Sequence, residues 1–476
     1  MKFSFVNAGP NADLDDRERK KSIGAWPPLG ILYMAAVLQQ KGVEVSVLDQ
    51  AAKGLTVKET AKWVNAQNPD ILGFSTFATS GRTAAAISAE VKKENPNVTV
   101  VFGNYYATFN SERVLRKYPS VDIIVRGEGE RSVVDLVDCL KKRGRLKDVL
   151  GTNFRSEGGV ASTADSPLIK DLDSLPFPDR SLVDDDYHSV MAGANVAPKK
   201  FTSILSSRGC IYRCRFCCCT QFAHSRWRSR SVENTMEELR FLASERYKQF
   251  IFVDDNFTGN PKSVIKLCKE MRREKLDIEW ICEGRVDTGS YEMFWETAHA
   301  GCKILYFGIE SANQRILDYY NKRITPEQSR TAVRTARKAG ADAIVGSFIV
   351  GAPDETREEI RNTIEFAKKI PIDLPQFNIL GVYPGTDIWD ECEAKGLLKD
   401  DDYWEKGVAV SKIYPTAVPY KEIRWMIHQG FYHFVRRPAF ISKQMGRLIK
   451  SPYRIKTALS NAARFGSVIE NIRSVA

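Results

Sequence analysis

Residues 201–217 read FTSILSSRGCIYRCRFC, a strand pattern that leads into three closely spaced cysteines, Cys210, Cys214 and Cys217. The Cys-x3-Cys-x2-Cys spacing places three thiols on one short loop. Three thiolates can hold three irons of a four-iron cluster and leave the fourth iron free to bind a small molecule. An electron-transfer cluster normally uses four cysteines instead. The loop therefore predicts an iron–sulfur site with an open coordination position.

Two other interpretations of these cysteines remain. A zinc site normally takes four ligands in two separated pairs. The nearest further thiols, Cys218 and Cys219, follow directly on Cys217 and are badly placed to complete a tetrahedron. The three cysteines could also be chance neighbours in a reduced core. The cysteines outside the motif are expected to be packing residues, and they include Cys218, Cys219, Cys268, Cys282, Cys302 and Cys392.

Strand and helix patterns alternate downstream of the cysteine loop. With the strand before the loop, six strands are predicted, at Phe201–Ser206, Phe250–Asp254, Glu279–Glu283, Ile304–Gly308, Ala343–Val350 and Leu374–Leu380. Six βα units make an open, partial version of the eight-fold barrel, in which catalytic groups project from the carboxyl ends of the strands. The predicted barrel covers residues 201–400, and its polar constellations fall at such strand ends.

The N-terminal residues 1–145 also alternate between short apolar strands and helices. Strands are predicted at Lys2–Asn7, Glu44–Asp49, Asp70–Ser75, Val98–Phe102 and Asp122–Val125. This pattern favours an α/β domain with a doubly wound parallel sheet, which binds ligands at the carboxyl ends of its strands. Residues 146–200 are predicted to be a linker, because from residue 156 onward they are rich in Gly, Ser, Asp and Pro with little periodicity.

The cysteine spacing, with Phe216 before the last cysteine, resembles the signature of radical S-adenosylmethionine (SAM) enzymes. Six segments that follow the predicted strands, at 228–233, 254–258, 283–287, 308–311, 346–356 and 383–386, resemble the corresponding segments of that family. The resemblance implies that the three cysteines hold a 4Fe-4S cluster whose open iron chelates SAM. An electron from the cluster then cleaves SAM to a 5′-deoxyadenosyl radical. An external reductant of the flavodoxin or ferredoxin type is implied as a partner.

The same resemblance implies a SAM pocket formed by Asp254, Asp255, Arg285, Glu310, Ser311, Gly351 and Pro353. Arg285 suits the methionyl carboxylate because its planar fork binds carboxylates through two hydrogen bonds. Glu310 suits ribose hydroxyls or a cation, and the two aspartates suit the amino group or nearby ligands. The alternatives are a structural ion pair for Glu310 and Arg285, and helix capping for Asp254 and Asp255.

The N-terminal domain resembles the cobalamin-binding domain that precedes the barrel in one large radical SAM group, through residues 27–36, 75–80 and 126–130. The Asp-x-His-x-x-Gly motif that supplies a cobalt ligand in other cobalamin proteins is absent. Residues 104–106, Asn-Tyr-Tyr, replace Gly-Pro-His and are expected to put two phenols in the pocket mouth. The domain either binds cobalamin or only shapes the substrate cavity. The implied contacts are Ser75, Thr76, Thr79, Gly103, Tyr105, Tyr106, Gly127 and Glu128.

Charge is unevenly distributed along the 476-residue chain, whose net charge is +11. From Lys421 to Ala476 there are eleven Lys or Arg but only two Glu, which suggests an anionic partner such as a lipid surface. No nucleic acid is expected. The first residues are predicted to be a strand rather than a signal peptide, and the cysteines show no disulfide-scaffold pattern. We therefore expect a cytoplasmic protein.

Residues 401–476 are predicted to be helical and contain several aromatic residues, Tyr403 and Trp404 among them. Lys443, Arg447, Lys450 and Arg454 follow a 4-3-4 spacing on one helical face, opposite Ile441, Met445 and other apolar residues, with a break near Pro452. A basic amphipathic helix of this kind can lie on an anionic membrane surface. The alternative is a lid that packs on the barrel with its charges in water.

These observations predict an enzyme that modifies an unactivated carbon of an apolar substrate, of lipid or tetrapyrrole type, by cobalamin-dependent methylation. The alternative reaction is radical cyclisation or carbon–carbon coupling without methyl transfer. A methylthiotransferase needs a second cluster on three N-terminal cysteines, and only Cys139 precedes Cys210. A protein with a degenerate cluster is disfavoured by the intact motif. General acid and base residues are not predicted.

Overall fold

The computed structural model describes residues 1–10, 25–184, 187–191, 194–398 and 416–461. The chain divides into two compact units. The first comprises Met1–Tyr187 and the short segment Tyr383–Gly385, and the second contains the other residues that are described from His188 onward.

The first unit is an α/β domain. Its strands are β1 (Lys2–Asn7), β2 (Glu44–Asp49), β3 (Ile71–Ser75), β4 (Thr99–Gly103), β5 (Ile123–Val125), β6 (Thr152–Ser156) and β7 (Gly159–Ser162). Its helices are α1 (Leu29–Gln40), α2 (Gln50–Lys53), α3 (Val57–Gln67), α4 (Gly81–Glu94), α5 (Asn104–Phe109), α6 (Ser111–Lys117) and α7 (Gly129–Lys141).

The sheet of this unit has the strand order β2-β1-β3-β4-β5-β6-β7. Its first five strands pair in parallel, and this 2-1-3-4-5 order is that of flavodoxin-like sheets. The predicted doubly wound sheet is therefore confirmed. The chain order reverses between β1 and β3, and ligands of such sheets bind beyond the carboxyl ends of the strands near that point.

The sheet extends further than the sequence predicts. Strands β6 and β7 form an antiparallel hairpin and add two strands beside β5, inside a region interpreted as loop-rich from residue 156. The turn uses Gly159 at φ 118°, a value that favours glycine. Tyr187 then donates a 3.0 Å hydrogen bond to the Asp49 carboxylate, so the end of this segment is anchored to the first unit.

The second unit contains the barrel. Its strands are β8 (Val190–Met191), β9 (Ala194–Asn195), β10 (Phe201–Ile204), β11 (Ser207–Arg208), β12 (Arg228–Ser229), β13 (Gln249–Phe252), β14 (Glu279–Arg285), β15 (Cys302–Glu310), β16 (Ala343–Val350) and β17 (Leu374–Ile379). Its helices are α8 (Cys219–Phe222), α9 (Val232–Ser244), α10 (Pro261–Arg273), α11 (Tyr291–His299), α12 (Gln314–Tyr319), α13 (Pro326–Lys338), α14 (Arg357–Lys369), α15 (Asp387–Ala394), α16 (Tyr420–Val435), α17 (Pro438–Lys450) and α18 (Pro452–Ser460).

Six of these strands form one parallel sheet in the order β10-β13-β14-β15-β16-β17, which confirms the predicted (β/α)6 arrangement. Side chains alternate between the two faces of a strand. On β15, Leu305, Phe307 and Ile309 are buried in the core with helix residues. Tyr306 and Glu310 therefore lie on the opposite face, away from the helices.

Two barrel helices begin at a capping box. The Thr325 side chain accepts a hydrogen bond from the Gln328 amide and forms a capping box, and Pro326 occupies the first turn of α13. Thr356 and Glu359 form the same box at the start of α14. These caps fix where each barrel loop ends and its helix starts.

Helices α17 and α18 pack at the amino ends of the barrel strands. Arg447 and Arg454 reach Asp373, the residue before β17, at 2.6 and 2.9 Å. Two of the four residues on the predicted basic face are therefore held in ion pairs, whereas Lys443 and Lys450 are exposed. The helix break at Pro452 is as predicted. Tyr403 and Trp404 lie outside the described residues, within which no helix has the length and apolarity of a membrane span.

Candidate active site

The cysteine loop is closed at its base by a short antiparallel clasp, in which β11 pairs with β12. Gly209, between the clasp and Cys210, has φ 86°, and a Cβ there would collide with the carbonyl oxygen of Arg226. Only glycine fits this position without a shift of the backbone. Within the loop, the Cys217 amide donates to the Cys214 carbonyl at 3.0 Å and forms a tight turn.

Two aspartates support the base of the loop. Asp254 accepts hydrogen bonds from the Ser206 amide at 2.9 Å and from the hydroxyls of Ser206 and Ser207 at 2.6 and 2.5 Å. Asp255 accepts from the Gly209 amide at 2.7 Å. Burial raises the pKa of Asp254 to about 6, against the opposing effect of its hydroxyl and amide donors.

The structure therefore places Asp254 and Asp255 beneath the cluster loop, where they fix its path. The cap of the following helix α10 is Asn260, so the alternative of helix capping is wrong for both aspartates. Contact of either carboxylate with SAM stays a prediction.

The far side of the loop packs on residues 320–322, which follow α12. The Arg215 amide donates to the Tyr320 carbonyl at 3.0 Å, and the Phe216 ring meets Tyr320 edge-to-face at 5.4 Å. The Asn321 side-chain amide donates to the Arg213 carbonyl at 2.6 Å. The loop is thus held from both sides, and its three cysteines are presented on a rigid support.

The three cysteine residues of the motif are all half-buried. Burial raises the pKa of Cys210 and Cys214, and a hydrogen bond with Cys219 together with burial raises that of Cys217. Within the described residues, no three His, Cys, Asp or Glu side chains converge as a single metal ion requires. A four-iron cluster does not need that convergence, because each thiolate binds a different iron. The donor set fits a cluster better than zinc.

Arg285, at the end of β14, lies beside the loop. Its Nε and Nη2 each bind Asp287 at 2.9 Å, and Nη2 also donates to the Lys322 carbonyl at 2.7 Å. The guanidinium stacks on Tyr212 at 3.5 Å from the ring centre, and Nη1 lies 3.9 Å from the Cys214 sulfur. Arg285 is therefore fully engaged in the structure, and its binding to the SAM carboxylate stays a prediction.

Glu310, at the end of β15, forms an ion pair with Lys322, and the Nζ–Oε1 distance is 2.6 Å. The strand bulges between Gly308 and Glu310, and Glu310 has φ 63°, which is rare for a residue with a side chain. A Cβ on Gly308 would lie 2.6 Å from the Glu310 carboxylate and 2.8 Å from the Lys322 amine. Both residues therefore form structural ion pairs, as the alternative stated, but not with each other. Glu310 pairs with Lys322, and Arg285 pairs with Asp287.

The remaining predicted SAM residues lie at the ends of β15 and β16. Ser311 is buried, and its hydroxyl lies 3.2 Å from that of Thr363. Gly351 has φ 89°, and its amide donates to Glu355 at 2.6 Å. Burial raises the pKa of Glu355 to about 7. The Pro353 carbonyl accepts from the Ala417 amide at 2.8 Å. The SAM roles of Ser311, Gly351 and Pro353 stay predictions.

In the first unit, the predicted cobalamin residues lie at the carboxyl ends of β3, β4 and β5. The Thr76 hydroxyl donates to the Gly103 carbonyl at 2.7 Å, and the Ser75 hydroxyl accepts from Asn104 at 2.9 Å. Thr79 is exposed. The Glu128 carboxylate accepts from the Ile169 amide at 2.8 Å. The first two bonds tie the ends of β3 and β4 together, and the third joins the residues after β5 to the chain at Ile169.

The phenol side chains of Tyr105 and Tyr106 lie in different environments. Tyr105 is half-buried and lies near the exposed ring of Phe77, at 6.3 Å between ring centres. Tyr106 is only 2% exposed and packs where a side chain on Gly81 would stand, and the cobalamin contacts of Tyr105 and Tyr106 stay predictions. A Cβ on Gly127 would meet nothing within 4 Å. The space beside Gly127 is therefore open, and contact of Gly127 and Glu128 with cobalamin stays a prediction.

Sequence reasoning missed four residues that organise the barrel site, namely Tyr212, Asp287, Lys322 and Glu355. Asp287 lies within a recognised strand end, so its position was visible but its role was not. Lys322 follows a short helix and carries no motif. Its place in the site emerges only because the folded chain pairs it with Glu310 and brings it near Phe216 of the cysteine loop.

Comparison with known proteins agrees with this geometry. Residues 204–367 match the radical SAM superfamily, and residues 20–137 match the B12 binding domain. The first implies a 4Fe-4S cluster and SAM, and the second implies cobalamin.

Among curated proteins, an uncharacterized methyltransferase of Pyrococcus horikoshii is 37% identical over 91% of this chain and 94% of that protein. The anaerobic magnesium-protoporphyrin IX monomethyl ester cyclase of Rubrivivax gelatinosus is 27% identical over 88% of this chain and 75% of its own length. A radical SAM methyltransferase of Kitasatospora setae, solved with cobalamin and a 4Fe-4S cluster, has a TM-score of 0.67. It is 17% identical and covers 83% of this chain and 75% of that chain, and so shares the fold.

Proposed function

Because the chain belongs to the radical SAM superfamily and carries a B12-binding domain, we propose that this enzyme transfers a methyl group to an unactivated carbon of an apolar small molecule. The observation that carries the proposal is the three-cysteine loop, held at the carboxyl edge of the barrel by Asp254 and Asp255. The relative with 37% identity is named a methyltransferase, which supports the same reaction class.

When bound, the cluster and SAM supply a radical that removes hydrogen from carbon, and methylcobalamin supplies the methyl group. The chain's own residues position these groups. Cys210, Cys214 and Cys217 bind the cluster, and the loop contacts at Gly209 and Tyr320 hold its geometry. A small one-electron donor of flavodoxin or ferredoxin type is proposed as the reductant.

Cyclisation or carbon–carbon coupling is the second candidate reaction. The observation that favours it is the 27% identity to a porphyrin-type ester cyclase over most of the chain. The two reactions differ in the fate of SAM, since only methylation also consumes a methyl group.

The test is mass spectrometry of the SAM products after anaerobic reconstitution with iron, sulfide and cobalamin, reduction, and addition of a membrane lipid extract. We expect 5′-deoxyadenosine together with S-adenosylhomocysteine and a product heavier by one methylene. Deoxyadenosine with a modified substrate but no S-adenosylhomocysteine would overturn methylation in favour of cyclisation or coupling.

We also propose that the C-terminal helices contact an anionic membrane surface. On α17, Ile441, Met445 and Ile449 are 50%, 54% and 76% exposed, at helical spacing on one side. On α18, Leu459 is 71% exposed. No acidic residue occurs between Glu422 and Glu470 in the sequence, so the apolar stripe is flanked only by basic charge. Apolar side chains with basic neighbours are the composition that binds anionic bilayers.

The membrane proposal is tested by sedimentation of the full-length protein with phosphatidylglycerol vesicles and with phosphatidylcholine vesicles. We expect binding to the anionic vesicles, and at least a fivefold loss of that binding in Ile449→Glu. The matched control is Phe241→Glu, since Phe241 is 53% exposed on α9. Equal sedimentation of both variants, or self-association that Ile449→Glu abolishes in the absence of vesicles, would contradict the proposal.

A further inference from the structure

Two buried cations approach one cysteine of the cluster loop. Arg285 and Lys322 are 5% and 6% exposed, and Arg285 Nη1 lies 3.9 Å from the Cys214 sulfur. Lys322 Nζ lies 5.9 Å from the ring centre of Phe216, two residues beyond Cys214 on the same loop, and its charge acts to lower the pKa of Cys214 against the larger effect of burial. Basic side chains are rarely buried unless they are paired, so the placement of two beside the same thiol calls for a physical reason.

Each cation is fixed by its own carboxylate. Asp287 binds Arg285 through two hydrogen bonds of 2.9 Å, and Glu310 binds Lys322 at 2.6 Å. Arg285 also donates to the Lys322 carbonyl at 2.7 Å, which links the two pairs. The four charges sum to zero, so the arrangement adds no net charge. It instead aims positive N–H groups at the sulfur.

The N–H groups of Arg285 already have partners within the protein. Nε and Nη2 face Asp287, and Tyr212 covers one face of the guanidinium. The remaining Nη1 points to the Cys214 sulfur. A substrate carboxylate would need two parallel N–H groups to bind in the bidentate manner, and the Asp287 carboxylate already occupies such an edge.

Hydrogen bonds to the sulfurs and local charge set the reduction potential of iron–sulfur clusters. On reduction by one electron, the cluster with its thiolates gains one negative charge. N–H donors and a cation held at a ligand sulfur stabilise that added charge, and burial strengthens the interaction because the local dielectric is low. Removal of either cation should make the cluster harder to reduce.

We propose that Arg285 and Lys322 are positioning residues that set the reduction potential of the cluster through Cys214, with Asp287, Tyr212 and Glu310 holding them in place. The proposal rests on the assignment of the cluster to the three cysteines. It does not depend on which carbon the enzyme modifies or on whether a methyl group is transferred.

The test is a redox titration of the reconstituted full-length enzyme without SAM, followed by electron paramagnetic resonance of the reduced cluster. Arg285→Lys keeps the charge but loses the fork, and Lys322→Met keeps the length but loses the charge. Reduction should become at least tenfold less favourable in each variant, which lowers the midpoint by about 59 mV for one electron. Lys322→Arg should recover part of the shift.

The matched control is Arg213→Lys, because Arg213 is adjacent to Cys214 in sequence but exposed. Its midpoint should equal that of the unmodified enzyme. Iron content separates this proposal from the cluster assignment, since variants with four irons retain the cluster. An unchanged midpoint in iron-replete variants would overturn the proposal, as would weaker SAM binding at an unchanged midpoint. Loss of iron from both variants would overturn it in favour of a purely structural role.

Discussion

Two buried aspartates at opposite ends of the barrel show how differently the same side chain is held. Asp254 follows β13 at the carboxyl edge, and all of its donors named above are neutral groups of Ser206 and Ser207. Asp373 precedes β17 at the amino edge and forms ion pairs with Arg337, Arg447 and Arg454. Both are at most 9% exposed.

Their pKa values move in opposite directions. Burial raises the pKa of Asp254 to about 6, which its neutral donors only partly oppose. Burial would also raise the pKa of Asp373, but the three arginines outweigh it and lower the pKa to about 2. The charge of the partner therefore decides the outcome. The amino edge is built for stability, whereas the carboxyl edge supports the site.

The largest expected effect is the loss of SAM cleavage when a cluster cysteine at the carboxyl edge is replaced. Cys214→Ala removes one of the three cluster ligands, so SAM cleavage should fall to background while both units stay folded. The measurements are iron content, deoxyadenosine by mass spectrometry, and circular dichroism of the apoprotein. Cys139→Ala is the control, because Cys139 lies in the first unit outside the motif. Full activity of Cys214→Ala would refute the cluster assignment.

The next largest effect is a difference in the free energy of unfolding between variants of the two aspartates. Asp373→Asn leaves three partly buried arginines without the carboxylate that they share and should lower the free energy of unfolding of the barrel by about 2 to 3 kcal/mol. Asp254→Asn removes a carboxylate whose ionisation costs about 3 kcal/mol at neutral pH, and this gain offsets the hydrogen bonds that are lost, so the variant should lower the free energy of unfolding by less than about 1 kcal/mol. Urea unfolding of the apoproteins measures both. Similar losses in the two variants would break the comparison.

The two aspartates should also change the pH dependence of stability in opposite directions. The Asp373 pKa is depressed, so its contribution of about 2 to 3 kcal/mol is present above pH 4 and is lost as the pH falls from about 4 to about 2. The Asp254 pKa is raised, so its carboxylate costs about 3 kcal/mol above pH 6, and this cost is relieved as the pH falls from about 6 to about 4.

The check is the unfolding midpoint of the apoproteins against pH. Asp373→Asn should flatten the decline below pH 4 relative to the unmodified protein. Asp254→Asn should instead flatten the change between pH 6 and pH 4. A variant that alters the profile only in the other window would contradict the assignment of these pKa shifts.

The smallest expected effect compares two helix caps. The Ser451 hydroxyl caps α18 at 3.3 Å from the Arg454 amide and lies 2.6 Å from Asp342, whereas Ser290 caps α11 through the Met293 amide at 3.1 Å. Replacement of a serine cap by alanine costs about 1 kcal/mol. The loss of stability in Ser451→Ala should exceed that in Ser290→Ala, because Ser451→Ala also removes a hydrogen bond to a carboxylate. Chemical denaturation measures the difference, and equal losses would show that the Asp342 contact adds nothing.

Much of the fold could be predicted because its signals are local. The strand at Ala343–Val350 is observed as predicted, and the other barrel strands differ by a few residues at their ends. Apolar runs of strand length that alternate with amphipathic helices leave few alternatives. The β6–β7 hairpin was missed because its strands are short and polar, and gain their stability from pairing with β5.

The site could be predicted in part. The three cysteines lie on one loop because their spacing is local, and the strand-end residues gather at one edge because the strands are parallel. The partners of those residues were not predictable. Arg285 selects Asp287 and the Cys214 sulfur, and Glu310 selects Lys322, through contacts that span up to 71 positions in the sequence.

The sequence by itself determined the two α/β units, the cysteine loop and the residues at the strand ends, because periodicity and spacing act over short distances. The tertiary structure decided which charges meet. It placed Arg447 and Arg454 against Asp373, left Ile449 exposed, and brought Lys322 to Glu310 near Phe216 of the cysteine loop. The physical reason is that the stability of a buried charge depends on what lies next to it in space, and only the folded chain fixes those neighbours.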